Sequence, residues 1–117
     1  VEVDAGGLAV VGYSFGAGVG LRHAARDPRV GRLTGIALVE RHYADPFLDA
    51  DQRPKFFIAG EHDPWAPADA LREYVARLSP PKTLSLIPQT DHLLAGHEAE
   101  AATLVADFLA ASLQIDK

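Results

Sequence analysis

Three side chains in this sequence, Ser14, Asp63 and His92, have the types and the order that acyl chemistry at a serine needs. A serine hydroxyl is a weak nucleophile at its own pKa, so an imidazole must take its proton, and a carboxylate must fix the imidazole tautomer and stabilise the imidazolium. Ser14 sits in Gly12-Tyr13-Ser14-Phe15-Gly16, directly after the apolar run Leu8-Ala9-Val10-Val11. Glycines two residues before and after the serine suit a sharp strand-to-helix elbow, because a side chain there would collide with the neighbouring strand or helix. Asp63 ends Gly60-Glu61-His62-Asp63, four residues past Ala59, and His92 ends Pro88-Gln89-Thr90-Asp91-His92, five residues past Ile87. Each candidate thus closely follows an apolar run, where open parallel sheets bind their ligands.

The apolar runs read as four strands, Leu8–Val11, Gly35–Val39, Lys55–Ala59 and Thr83–Ile87, separated by three helical patterns. Such alternation predicts parallel strands joined by crossover helices. The first three runs are apolar nearly throughout, the pattern of strands covered on both faces, whereas Leu84 and Leu86 alternate with Thr83 and Ser85 in the fourth, which reads as an edge. The first helix is expected from Phe15 to about Arg26, rich in small residues, buried, and stopped ahead of Pro28. The second runs from about Pro67 to Leu78 with Leu71, Tyr74, Val75 and Leu78 on one face, and Ser79-Pro80-Pro81 ends it. The third runs from about Glu98 to Leu113, where Ala101, Leu104, Val105 and Phe108 repeat the stripe. The polar segment from Glu40 to Pro54 has no period and reads as a loop with at most a short helical turn.

With 117 residues the chain has room for a single domain, 1–117, and not for two. A net charge of −5, spread along the whole length, leaves no basic stripe for nucleic acid or an anionic membrane, and neither is an expected partner. Cysteine is absent, which removes disulfide frameworks and thiolate metal sites. No run approaches the roughly 18 apolar residues of a membrane span, and Val1-Glu2-Val3-Asp4 lacks the basic start and apolar centre of a signal peptide, so a soluble, cytoplasmic chain is expected. The missing initial methionine, with a strand beginning almost at once, reads as a piece of something longer or a processed chain.

Competing readings attach to several of these residues. His62, Asp63, Asp91, His92 and His97 could be metal ligands, but no H-E-x-x-H or similar spacing occurs and the serine elbow would go unexplained, so no metal is expected. Asp63 precedes Pro64, and Asp-Pro favours turns, so a turn-forming role competes with an orienting one; Asp69 is the substitute carboxylate, although it falls within the second helix. Tyr13, Phe15 and Trp65 adjoin the three candidates and could line an acyl pocket or simply pack. Glu40-Arg41-His42-Tyr43 reads as a solvated loop rather than a reduced lid, His97-Glu98 as the start of the last helix, and His23 as a core or surface residue of the first.

Through the G-x-S-x-G elbow, the G-x-x-D loop and the Asp91-His92 loop before the last helix, the sequence resembles the carboxyl-terminal half of the α/β-hydrolase superfamily, in particular small lidless bacterial serine hydrolases with Gly-Tyr-Ser-Phe-Gly elbows. The resemblance covers essentially the whole chain. It implies a truncated α/β-hydrolase fold, four parallel strands in sequential order with three helices, hydrolysing small soluble carboxylic esters without a cofactor. By that resemblance Ser14 is the nucleophile, His92 the general base and acid, Asp63 the orienting carboxylate and the Phe15 N–H one oxyanion donor; adjacency to these residues, not the resemblance, puts Tyr13 and Trp65 at substrate-binding positions. The superfamily's amino-terminal half, with further strands and the loop that carries a second oxyanion N–H, has no counterpart before Leu8. Its absence would leave Leu8–Val11 an unpaired apolar edge, so a homodimer or other association through that edge is expected. The alternative is a catalytically weak half-domain acting as an interaction module through the same edge, and acyl transfer or perhydrolysis at the same serine is a third reading.

Overall fold

The computed structural model describes residues 8–115, with side chains as far as Ala111; the Val1–Asp4 segment read above against a signal peptide lies outside the described residues. The elements are β1 (Leu8–Tyr13), α1 (Phe15–Ala25), β2 (Val30–Ile36), a 3-10 turn (Glu40–His42), β3 (Lys55–Gly60), α2 (Ala68–Arg77), β4 (Lys82–Ile87) and α3 (Glu98–Ile115). The strands form one parallel sheet in the order β1-β2-β3-β4, as the alternation of apolar runs and helical stripes predicts. In a parallel sheet of sequential order every strand ends on the same rim, which gathers the segments after β1, β3 and β4.

The period-two pleat divides the apolar residues between two layers. Val10, Leu33, Phe57 and Ala59 face α1 and α2, where they pack with Leu21, Ala24, Leu71 and Tyr74. Ile36, Phe56, Ile58 and Ile87 face α3 and meet Ala101, Leu104, Val105 and Phe108. All six residues of β3 are buried, and each fully buried large apolar side chain contributes about 1.5–3 kcal/mol of transfer free energy. Gly35 lets this layer close up, since a Cβ there would sit 3.2 Å from both Leu21 Cδ1 and Phe57 Cδ1.

Three expectations are corrected. The second strand is Val30–Ile36, not Gly35–Val39. Its buried Arg32 and Thr34 and its two glycines hide it from an apolarity count, while Ala37, with φ 54°, turns the apolar Leu38-Val39 out of the sheet. β1 is not covered on both faces. Among the described residues only β2 pairs with it, and Leu8, Val11 and Tyr13 are 37%, 47% and 41% exposed, because α3 lies over β2 and β3. α1 is not wholly buried either: Ala17, Gly18, Leu21 and Ala24 face the sheet, while Phe15, Val19 and His23 face outward.

Candidate active site

The elbow after β1 is strained where the chemistry would need it. Ser14 has φ 56° and ψ −127°, a conformation that costs on the order of 1 kcal/mol or more for a non-glycine residue and that projects its hydroxyl away from both strand and helix. Gly12 permits the turn, since a Cβ there would lie 2.5 Å from the Cα of Ala17. The Ser14 N–H donates to the Ile36 carbonyl at 2.7 Å, tying the elbow to the end of β2. Phe15 opens α1, and among the described residues its N–H has no partner, as expected for the first N–H groups of a helix.

Ser14, His92 and Asp63 are brought together. Ser14 Oγ lies 2.7 Å from His92 Nε2, and His92 Nδ1 lies 2.7 Å from Asp63 Oδ2. The carboxylate leaves Nδ1 as the protonated nitrogen and Nε2 free to accept the serine proton. Asp63 is 3% exposed, and its other oxygen, Oδ1, accepts from the N–H groups of Trp65 at 2.7 Å and Ala66 at 3.0 Å. The turn and the approach to His92, set against each other as readings of Asp63, are thus geometrically compatible, with Oδ1 in the turn and Oδ2 on the imidazole. Asp69, the substitute carboxylate, stands exposed on α2 and pairs with Arg72 instead.

The loop that carries His92 lies against the end of β3. The His62 N–H donates to the Thr90 carbonyl at 2.9 Å, and a Cβ on Gly60 would approach that same oxygen to 2.2 Å. Among the described residues no three His, Asp or Glu side chains converge as metal ligands would. His62 pairs with Glu61 and His97 with Glu100, while His23 is exposed on α1.

Ser14 and His92 open on a cavity of about 660 Å³ walled by Phe15, Val39, Arg41 and Trp65. Trp65 is 64% exposed at its mouth. Tyr13, expected beside the substrate, is absent from this cavity and lines a smaller depression with Ile36 and Leu93 on the opposite face of the sheet, because successive strand residues point to opposite faces. Val39 ends the second strand in the sequence reading and Glu40 and Arg41 fall in the loop preferred there over a lid, yet all three wall the cavity. They enter through the 3-10 turn, which the Glu40 N–H fastens to the Trp65 carbonyl at 2.8 Å, while the Arg41 guanidinium lies 5.5 Å over the Phe15 ring. Behind Phe15, His42 is buried against Gly18, and burial together with Arg22 and Arg41 pushes its pKa below the ordinary value.

A parallel sheet of sequential order with a serine elbow after one strand and carboxylate and imidazole loops after two others is an α/β-hydrolase-like fold, present here in part. The chain belongs to the family of PhoPQ-activated pathogenicity-related proteins, whose model matches residues 19–115, a stretch that begins past Ser14 and includes Asp63 and His92. It is similar to a putative α/β hydrolase of unknown function from Agrobacterium tumefaciens, 26% identical over 92% of this chain and 52% of that one, with a TM-score of 0.82. A lidless α/β serine hydrolase from Xanthomonas campestris is 30% identical over 79% of this chain and 40% of its own, with a TM-score of 0.59. The esterase domain of a Rhodothermus marinus protein shares the fold, with a TM-score of 0.72 at 16% identity over 89% of this chain and 58% of its own. The chain thus spans about half the length of the structures it matches. No curated protein matches it. Among the described residues no helix is long and apolar enough to cross a membrane.

Proposed function

We propose that this chain carries the nucleophile, proton carrier and orienting carboxylate of a serine hydrolase acting on small carboxylic esters. The observation that most supports this is the unbroken chain from Ser14 Oγ through His92 to Asp63, 2.7 Å at each link, at the mouth of a cavity. Ser14 Oγ attacks the ester carbonyl carbon as its proton passes to His92 Nε2, and Asp63 Oδ2 stabilises the imidazolium. The carbonyl oxygen becomes an oxyanion that accepts from the Phe15 N–H. Collapse expels the alcohol oxygen, which takes the proton from Nε2, and water, activated by the same nitrogen, then hydrolyses the acyl-serine. Each oxyanion donor contributes about 3 kcal/mol, so the Phe15 N–H alone is worth about 100- to 1000-fold in the rate of acyl transfer. A p-nitrophenyl acetate assay on the wild type and Ser14→Ala tests the reading. Activity lost in the variant, with fluorophosphonate labelling lost in parallel, is expected; full activity in Ser14→Ala overturns it.

Among the described residues the outer edge of β1 is unpaired, with Leu8, Val11 and Tyr13 part-exposed, and this favours a second reading in which the chain associates through this strand, as a homodimer. Sedimentation equilibrium at micromolar concentration tests it, and a monomer there counts against it.

A further inference from the structure

The residue before the serine has a role that the cavity does not absorb. Tyr13 points to the other face of the sheet, where its hydroxyl donates to the backbone carbonyl of His92 at 2.7 Å, across 79 residues of sequence. Its ring stands 6.2 Å from the imidazole and is tilted 58° to it. Elbow and histidine loop therefore meet at two points, Ser14 Oγ with His92 Nε2 and Tyr13 Oη with His92 O, so two consecutive residues of the elbow hold one residue of the loop by its ring and by its main chain.

The loop has reason to need holding. Gln89 and Leu94, on either side of His92, both lie in the left-handed region, with φ 54° and 57°. Non-glycine residues in that region persist only where their surroundings hold them there. The His62 N–H holds the loop at Thr90, and Asp63 holds the imidazole but not the peptide of His92. The peptide itself is held by Tyr13. Burial, then the charges of Asp63, Asp91 and Glu98, push the phenol above its ordinary pKa of 10.0, so it remains a donor wherever a serine and imidazole pair works.

Resting on the serine-hydrolase reading, we propose that Tyr13 is a positioning residue, a latch that ties the His92 peptide to the nucleophile elbow and so sets the distance across which the serine proton moves. The bond is exposed and competes with water, so its loss loosens the loop without releasing it. Tyr13→Phe keeps the ring and removes the donor. In that variant kcat on p-nitrophenyl acetate and the rate of fluorophosphonate labelling are each expected to fall about tenfold with KM within about twofold, since a misplaced base slows the chemical step and not binding. Amide hydrogen exchange is expected to quicken in residues 89–94 and not in α2. Unchanged kcat and labelling overturn the latch, as does exchange that quickens evenly or a Tyr13→Phe chain that fails to fold, because each makes the role of Tyr13 absent or global. If the wild type neither labels nor turns over, the hydrolase reading has failed on its own, and the exchange pattern alone then decides whether Tyr13 holds the loop.

Discussion

Gly60→Ala isolates the demand that the site makes on backbone packing. Gly60 is the last residue of β3 and has an ordinary strand conformation, so alanine carries no conformational penalty there. Its Cβ, however, would lie 2.2 Å from the Thr90 carbonyl oxygen and 2.4 Å from that of Asp91, where ordinary contacts begin at 3.4 Å. Both oxygens are main chain and cannot rotate away. The loop must therefore retreat by about 1 Å. That retreat breaks the 2.9 Å bond from His62 N–H to Thr90 O and stretches the 2.7 Å approach of His92 Nε2 to Ser14 Oγ beyond hydrogen-bond reach. Misplacing a reacting group by about 1 Å costs on the order of 100-fold in rate, about 2.7 kcal/mol, while overpacking costs about 1–3 kcal/mol of stability. The assay is kcat/KM on p-nitrophenyl acetate beside a urea titration under the same conditions. A Gly60→Ala chain that is folded and keeps kcat/KM within about twofold of wild type would refute the reasoning, since it would mean that the loop position does not set the rate.

Gly18→Ala places a Cβ 2.1 Å from His42 Nε2, so the buried imidazole has to move, and a net destabilisation of about 1–2 kcal/mol is expected after allowing for the better helix propensity of alanine; urea midpoints check it. The pKa of His42 is lowered by burial and by Arg22 and Arg41, so below the ordinary value of 6.5 the unfolded chain takes a proton that the native state resists. Stability is therefore expected to fall as pH drops from 7.5 to 5.5, and to fall less in His42→Leu; equal losses in the two chains would remove His42 as the cause. Lys55 is fully buried, and its Nζ donates to the carbonyls of Asp51 and Arg53, the latter at 2.7 Å. Lys55→Met leaves those oxygens without their donor and is expected to lower the unfolding free energy by about 2 kcal/mol, read from denaturant titration.

The parts of this molecule that follow from local pattern were legible in the sequence. The stripes Leu71, Tyr74, Val75, Leu78 and Ala101, Leu104, Val105, Phe108 recur on the core-facing sides of α2 with its C-cap and of α3, with Leu104, Val105 and Phe108 only partly buried, and the elbow glycines mark the turn into α1. What required the third dimension was hidden. β2 contains a buried arginine and threonine, and burial of such residues is set by neighbouring strands rather than by their own polarity. Tyr13 was assigned to the substrate by adjacency to Ser14, yet adjacency in a strand sends neighbouring side chains to opposite faces. Gly60 was legible only as the first residue of a G-x-x-D loop, because the Thr90 and Asp91 carbonyls that require it come thirty residues later. For Asp63 the sequence posed a choice between turn and triad that a carboxylate, with two oxygens, does not have to make.

The rim on which the three groups meet and the precision with which they meet have different causes. Sequential parallel order brings the ends of β1, β3 and β4 to one edge whatever side chains they carry, so topology alone delivers a serine, a carboxylate and an imidazole to the same neighbourhood. Contact at 2.7 Å needs more than neighbourhood. It is reached where backbone touches backbone without an intervening Cβ, at Gly12 on Ala17 and at Gly60 on Thr90, and where left-handed residues, Ser14, Gln89 and Leu94, are held against their own preference. Each such residue costs on the order of 1 kcal/mol or more, and that cost is met by the packing of β3 and its neighbours rather than by the site itself. The scaffold and the site are thus coupled in one direction: loosening the sheet should degrade the geometry at Ser14 and His92, whereas removing the Ser14 hydroxyl takes away a single part-buried hydrogen bond and leaves the core intact.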